Sequence, residues 1–347
     1  MFLEPCFKAL DDLIKIYSHL VHLVFADDST NGGPRLSFVN GVWIDHALSF
    51  KPSFEEVVDT LYKAACHQVD FQNKPREVRK SANSWVKNKT SGLIKNILPP
   101  NSVRKTTKLI FANALYFKGK WKSEFSTSET KRLDFHLLNR SSVRVPFMTS
   151  EKRQFISTFD GFKVLKLPYK QRWKGKRGRY QDTKEKCSYS LCIFLPDAKD
   201  GLPALMEKAM TKSKFLNRHI PEQSVMVGEF WIPKFKFEYK IEASEALKSL
   251  GLVLPFDPES VGLKEIVDLS PLYAEKIFHK SCIEVDEEGT EAAAAGLSCG
   301  AVPLCHRMPK PEVKIDFVAD HPFLFFIREN ITGIVLFAGQ VLDPSKT

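Results

Sequence analysis

The groups best equipped for chemistry crowd into a short stretch near the C-terminal end of the chain. Gly296-Leu297-Ser298-Cys299-Gly300 spells Gly-x-Ser-x-Gly, followed by Cys305, His306 and Arg307-Met308. A serine in that pattern is a nucleophile only on a tight turn between a strand and a helix. The next residues, Ala301-Val302-Pro303-Leu304, do not begin a helix, so the pattern carries no hydrolase. Cys299, Cys305 and His306 have metal-ligating atoms, but their spacing is irregular and no fourth ligand stands near. Two spare thiols open to oxidation are the simpler reading. Arg307-Met308 reads as chemistry done to the chain: a peptide bond of the kind a trypsin-like protease cuts.

The element that must present this stretch lies just upstream. Ile283 and Val285 alternate like a strand, then come Asp286, Glu287, Glu288, Gly289 and Thr290, then Ala292 to Ala295 and Gly296. A run of tiny side chains after a strand suits a backbone that must slide into a tight slot, because large side chains would clash in a close-packed interior. The competing reading is a short surface helix capped by Thr290. The setting favours the slot: a strand precedes the run, an irregular Gly/Pro/Cys segment comes after it, and two long apolar strands close the chain.

The remaining pattern is mixed. Leu10 to Phe25 carries a helical stripe. Arg35 to Ile44 reads as a strand, Phe54 to Ala65 and Val78 to Ile97 as helices, and Leu109 to Phe117 as a long apolar strand. Short strands come next around Phe135, Val145, Phe155 and Phe162 to Leu167. Cys187 to Leu195 is a strand and Leu202 to Met210 a helix. Val225 to Tyr239 alternates, with Pro233 marking an edge or bulge. Ala243 to Leu250 is a helix, and Ile277 to Val285, Lys314 to Arg328 and Ile331 to Leu342 are the late strands. Neither a repeat nor a Gly/Ser linker divides the chain, so residues 1–347 read as one mixed α+β domain.

Composition sets bounds. The 347 residues are 43% hydrophobic with 27 phenylalanines, enough for a large, sheet-rich core. No apolar run reaches bilayer-spanning length, so no membrane span is expected, and the first residues do not read as a secretory signal. Seven scattered cysteines without Cys-x-x-Cys argue against a disulfide framework or zinc site and fit a reducing compartment. Cytoplasmic or nucleocytoplasmic placement is the expectation, with extracellular as the alternative. Asn-x-Ser/Thr triplets at Asn88, Asn139 and Asn330 are read as chance matches. The net charge of +10 is partly local: residues 170–186 hold eight Lys/Arg against Asp182 and Glu185, with Trp173 and Tyr180 among them. Such a loop could meet nucleic acid or an acidic surface; a solvated hairpin insertion is the plainer reading.

Several blocks resemble the serpins. The stretch 283–296 is similar to the hinge of the serpin reactive-centre loop. Phe111-Ala112-Asn113-Ala114-Leu115-Tyr116-Phe117-Lys118-Gly119-Lys120-Trp121 looks like the strand beside the slot that receives the loop. Val145-Pro146-Phe147-Met148-Thr149, Phe278-His279-Lys280 and Ala319-Asp320-His321-Pro322-Phe323-Leu324-Phe325 match further blocks. Arg35 to Trp43 and Leu195 to Gly201 resemble plant serpins in particular. The resemblance implies a serpin-like domain with a large central mixed sheet, further sheets, surrounding helices and an exposed reactive-centre loop at about 287–312. It implies hinge roles for Glu287, Gly289, Thr290, Ala292 and Ala294. Glu287 would pair with Lys234 at the mouth of the slot, with Trp121 packed nearby, and Asn113 would bond His279 at the shutter.

The implied activity is that of a suicide substrate. A serine, or alternatively cysteine, protease attacks the loop, which then inserts as a central strand and traps the acyl-enzyme. No catalytic residue, cofactor or metal belongs to this chain in that scheme, and the target protease is the expected partner of a monomer. Two departures favour a non-inhibitory or decayed relative instead. The first helices of the family are expected to be missing, since Leu10 to Phe25 resembles the fourth. The bait is also unusual: counting from Thr290 puts the scissile bond at Pro303–Leu304, counting back from Lys314 suggests His306–Arg307, and side-chain chemistry favours Arg307–Met308. A binder of nucleic acid or acidic surfaces through 170–186 is the remote third reading.

Overall fold

The computed structural model describes residues 34–170, 188–212, 214–259, 263–268, 272–290 and 313–346. The expected helix at 10–25, the basic segment 171–187 and the loop 291–312 lie outside the described residues. Along the chain run β1 (Arg35–Asp45), α1 (Pro52–Thr60), β2 (Ala64–Val69), α2 (Pro75–Lys89), β3 (Leu109–Lys120), β4 (Lys131–His136), β5 (Ser142–Thr149), β6 (Gln154–Phe159), β7 (Phe162–Pro168) and β8 (Tyr189–Pro196). Next come α3 (Leu202–Thr211), α4 (Phe215–Arg218), β9 (Ser224–Val225), β10 (Val227–Pro233), β11 (Phe235–Glu242), α5 (Ser244–Ser249), β12 (Lys276–Val285), β13 (Gly289–Thr290), β14 (Ile315–Val318), β15 (Phe323–Glu329) and β16 (Val335–Val341). The fold is a mixed α+β one with several sheets. The chain forms two compact units, one from Arg35–Phe117 and Glu238–Cys282, the other from Lys118–Phe237 and Ile283–Thr347.

The first unit is built on a sheet ordered β11-β12-β3-β1-β2. β12 runs parallel to β3, Phe278 opposite Ala112 and His279 opposite Asn113, and β1 runs parallel to β2. Pro75 starts α2 at the turn where a missing N–H costs nothing, and Val78, Ala82 and Val86 repeat at helical spacing. They bury with Ile94, Ile97, Leu98 and Val103 against Val39, Ala112, Ala114 and Phe278 of the strands.

Two expectations need correction here. The helix foreseen to Ala65 stops at Thr60. Lys63 turns at positive φ, and 64–69 form β2, whose backbone groups pair with β1. Nor does the second helix reach Ile97. Thr90 Oγ1 donates back to the Val86 carbonyl at 2.8 Å and accepts from Ile94 N–H at 3.0 Å, and Ser91 and Gly92 adopt positive φ. The chain folds back there and lays 93–103 along the sheet.

The second unit has a sheet ordered β14-β10-β5-β4 and another ordered β16-β15-β8-β7-β6-β9. β8, between β7 and β15, is buried along its whole length. Two more corrections belong here. Pro233 marks neither an edge nor a bulge: it ends β10, which lies between β14 and β5, and its missing N–H falls where the ladder stops. The stretch from Lys314 to Arg328 is two strands, β14 and β15, which belong to different sheets.

Candidate functional site

Two polar clusters hold the residues singled out in the sequence, one in each unit. In the second unit the chain leaves β12 and reverses at Asp286-Glu287-Glu288-Gly289. Asp286 Oδ1 accepts from the N–H of Glu288 at 3.0 Å and of Gly289 at 3.1 Å, and Asp286 N–H donates to the Gly289 carbonyl at 2.9 Å. The returning backbone forms β13, antiparallel to β3, with Gly289 opposite Lys120 and Thr290 opposite Gly119. Only glycine fits position 289: its φ is +154°, and a Cβ there would sit 2.0 Å from the Gly119 carbonyl oxygen.

Glu287 locks this turn in place. It is only 5% exposed, yet both carboxylate oxygens are satisfied. Lys234 Nζ donates to Oε2 at 2.7 Å and Thr130 Oγ1 to Oε1 at 2.7 Å. Burial pushes the carboxyl up, but the bonds from Lys234 and Thr130 outweigh it and hold Glu287 below the ordinary carboxylate value. Asp286 goes the other way: burial raises its pKa against the two backbone N–H bonds it accepts. Trp121 N–H donates to the Glu288 carbonyl at 2.9 Å and Phe125 N–H to that of Glu287 at 2.8 Å. The Trp121 indole, 2% exposed, donates from Nε1 to the Asp286 carbonyl at 2.8 Å and stacks on Tyr169 with centroids 4.7 Å apart.

The second cluster crosses the sheet of the first unit as a relay. His279 Nδ1 lies 2.6 Å from Asn113 Oδ1. Asn113 Nδ2 donates to Asn40 Oδ1 at 2.6 Å, and Asn40 Nδ2 donates to the Tyr62 carbonyl at 3.1 Å. Since Asn113 uses its amide as donor toward Asn40, its oxygen must accept, which fixes Nδ1 of His279 as the protonated nitrogen. Burial lowers the His279 pKa, so the neutral ring with Nδ1–H is the favoured form.

The structure thus brings Glu287, Gly289, Lys234 and Trp121 together, and likewise Asn113 and His279. Thr290 is in β13 by its backbone. Ala292, Ala294, Gly296, Pro303, Leu304, His306, Arg307 and Met308 lie outside the described residues, as do Cys299 and Cys305. Sequence reasoning missed Asn40, Thr130 and Tyr169. Asn40 had a signal, a polar side chain inside the apolar run Phe38 to Trp43; Thr130, in a loop, had none. Among the described residues Cys66 and Cys192 are free thiols, no group of His, Cys, Asp and Glu forms a metal site, and no helix is long and apolar enough to cross a membrane.

A reversing turn lays β13 along the end of β3, and a polar relay links β12, β3 and β1. The family model described as Serpin (serine protease inhibitor) matches residues 6–344, and this chain belongs to that family. Its relatives include plant members. Serpin-ZX of Arabidopsis thaliana is 51% identical over 343 residues, covering 97% of this chain and 84% of that protein. Serpin-ZXA of Oryza sativa subsp. japonica is 51% identical over 329 residues, covering 94% and 78%. Among solved structures, the Arabidopsis serpin AtSerpin1 in its native stressed conformation is similar with a TM-score of 0.84 at 48% identity, covering 96% of this chain and 82% of that one. Serpin48 of the insect Tenebrio molitor is similar with a TM-score of 0.75 at 28% identity, covering 95% and 80%.

Proposed function

We propose that this protein inhibits a serine protease as a suicide substrate, by insertion of the loop after Thr290 into the sheet between β3 and β12. The observation that carries the reading is β13. The hinge backbone runs antiparallel to β3 at Gly119 and Lys120, the direction an inserted strand between the parallel β3 and β12 would need. The alanines and glycine at 292–296 are small enough to follow it.

Cleavage of the loop by the protease leaves an acyl-enzyme and frees the hinge. Insertion then parts β12 from β3, breaks the His279–Asn113 bond, and replaces one ladder with two, which gains hydrogen bonds and buries apolar side chains. Glu287, Lys234, Thr130 and Trp121 act as the pivot about which the loop turns. The bond attacked is Pro303–Leu304 by register from Thr290, or Arg307–Met308 by the preference of trypsin-like enzymes; His306–Arg307 lies between them.

Mixing the protein with trypsin-, chymotrypsin- and papain-like proteases tests the reading. The expected result is an SDS-resistant adduct with a serine protease, and its mass identifies the bond. Cleavage within 291–312 without any adduct overturns inhibition and leaves a substrate in its place.

A further inference from the structure

On the first unit, the outer side of α2 and the chain that folds back after it form an open cleft with no acid in its lining. It consists of two hollows of about 370 and 390 Å³ that share Arg79 and Lys80. Lys87 and Lys95 line one end, and Arg76, Arg104 and Lys105 line the other. On α2, positions 76, 79–80 and 87 recur at helical spacing, so one wall is a cationic stripe about 16 Å long at 1.5 Å per residue. Among the described residues none of these side chains is in an ion pair; their one hydrogen bond there is a long one from Arg79 to the Leu98 carbonyl, at 3.5 Å.

The floor of the cleft is rigid. Asn83, buried, donates to the Leu98 carbonyl at 3.0 Å and accepts from Leu98 N–H at 2.8 Å, pinning the returning chain to the helix. Lys240 donates to the Asn96 carbonyl at 2.9 Å and Lys280, itself paired with Glu238, to that of Lys95, so both side chains tie down the same segment. Burial, then Lys280, lower the Lys240 pKa against a raising pull from Glu238, with Arg79 a smaller lowering influence, so positive charge outweighs the one acid there. A solvated convex patch of lysines needs no ligand. A concave one, in fixed walls and with no acid in its lining, focuses its field on whatever enters.

The chemistry of the lining narrows the occupant. No aromatic ring lines either hollow, so there is nothing for a base or a sugar face to stack on. What the walls offer in quantity is charge, closely spaced along a line. We propose that this cleft seats a linear polyphosphate chain, lying along α2 from Lys87 to Arg104. All of its lining residues belong to the first unit, and the proposal does not depend on protease inhibition.

The test is fluorescence anisotropy with labelled short-chain inorganic polyphosphate, using the full protein and two triple variants. Lys80→Gln/Lys87→Gln/Lys105→Gln strips the cleft of three charges at unpaired positions. Lys152→Gln/Lys208→Gln/Lys212→Gln removes the same net charge from exposed positions elsewhere. Salt-dependent binding is expected, at least about tenfold weaker in the cleft variant and nearly unchanged in the control, because phosphate contacts dominate such affinities. A variant with the Lys and Arg of 170–186 neutralised is expected to keep the tight binding. The proposal fails if polyphosphate does not bind, if the two triple variants weaken equally, if neutralising 170–186 abolishes binding, or if single-stranded DNA or a sulfated polysaccharide of equal charge binds as tightly.

Discussion

Removing the Lys234 charge while keeping the stem, as Lys234→Met, should loosen the turn at Asp286–Gly289 by an amount the geometry allows us to work out. The substitution strands the Glu287 carboxylate, whose side chain is 7% exposed, with Thr130 as its remaining side-chain donor. Stripping one partner from a fully buried pair costs about 3–5 kcal/mol, and one hydrogen bond to a charged group is worth about 1.5–3 kcal/mol. Lys234 is 34% exposed, so water already screens part of the pair, and the lower figure applies: about 2 kcal/mol, or roughly a 30-fold shift in the opening equilibrium.

Hydrogen exchange reads this directly. The amides of Trp121 and Phe125 donate to the carbonyls of Glu288 and Glu287, so they exchange when the turn lifts away, by local opening. We expect roughly 30-fold faster exchange at those two amides in Lys234→Met. Lys234→Met/Glu287→Met should lose far less than the sum of its single variants, because replacing both partners removes the stranded charge. The pH dependence takes its sign from Glu287. Its pKa is held below the ordinary 4.5, so its contribution is fully present above that value and fades as pH falls through the depressed one. Unchanged exchange in Lys234→Met, strict additivity in the double variant, or wild-type protection that persists into strong acid would refute the reasoning.

Three further outcomes are expected. Asn40→Ala removes the acceptor of Asn113 in the relay and should cost about 1–3 kcal/mol, seen as a lower Tm. The wild-type Tm should also fall as pH drops below 6.5, since burial lowers the His279 pKa and its neutral form is what the fold keeps; His279→Gln should flatten that dependence. Gly289→Ala would drive a Cβ to 2.0 Å from the Gly119 carbonyl and so expel β13. It should shift the products of protease challenge from adduct toward cleaved chain, measured by densitometry on SDS gels, with the Tm of the rest of the fold nearly unchanged.

Period and punctuation made most strands legible, because a strand buried on one or both faces must repeat its apolar residues. They failed where local preference met a tertiary competitor. Ala64 and Ala65 extend a helical pattern, yet their backbone groups pair with β1, and no local signal announces a parallel partner distant in sequence. The helix run toward Ile97 likewise kept its apolar spacing past Thr90, because residues 93–103 bury on the same sheet after the helix has ended.

The candidate site was legible unevenly, and for a physical reason. Lys234 and Glu287 stand 53 positions apart, and Asn113 and His279 stand 166 apart; no periodicity connects such pairs, and only residue-by-residue resemblance paired them. Asn40 shows how far physics alone could have gone. Asn40, Asn113 and His279 each interrupt an apolar strand, and a polar side chain inside a sheet must find a partner or suffer a penalty of order 1–3 kcal/mol. Three such interruptions in strands of one sheet satisfy one another in a line, donor to acceptor, with His279 at the open end. The rule that predicts the line also predicts its weakness: any event that parts β12 from β3 must leave Asn113 and His279 without each other, so the relay opposes that separation by about the same penalty.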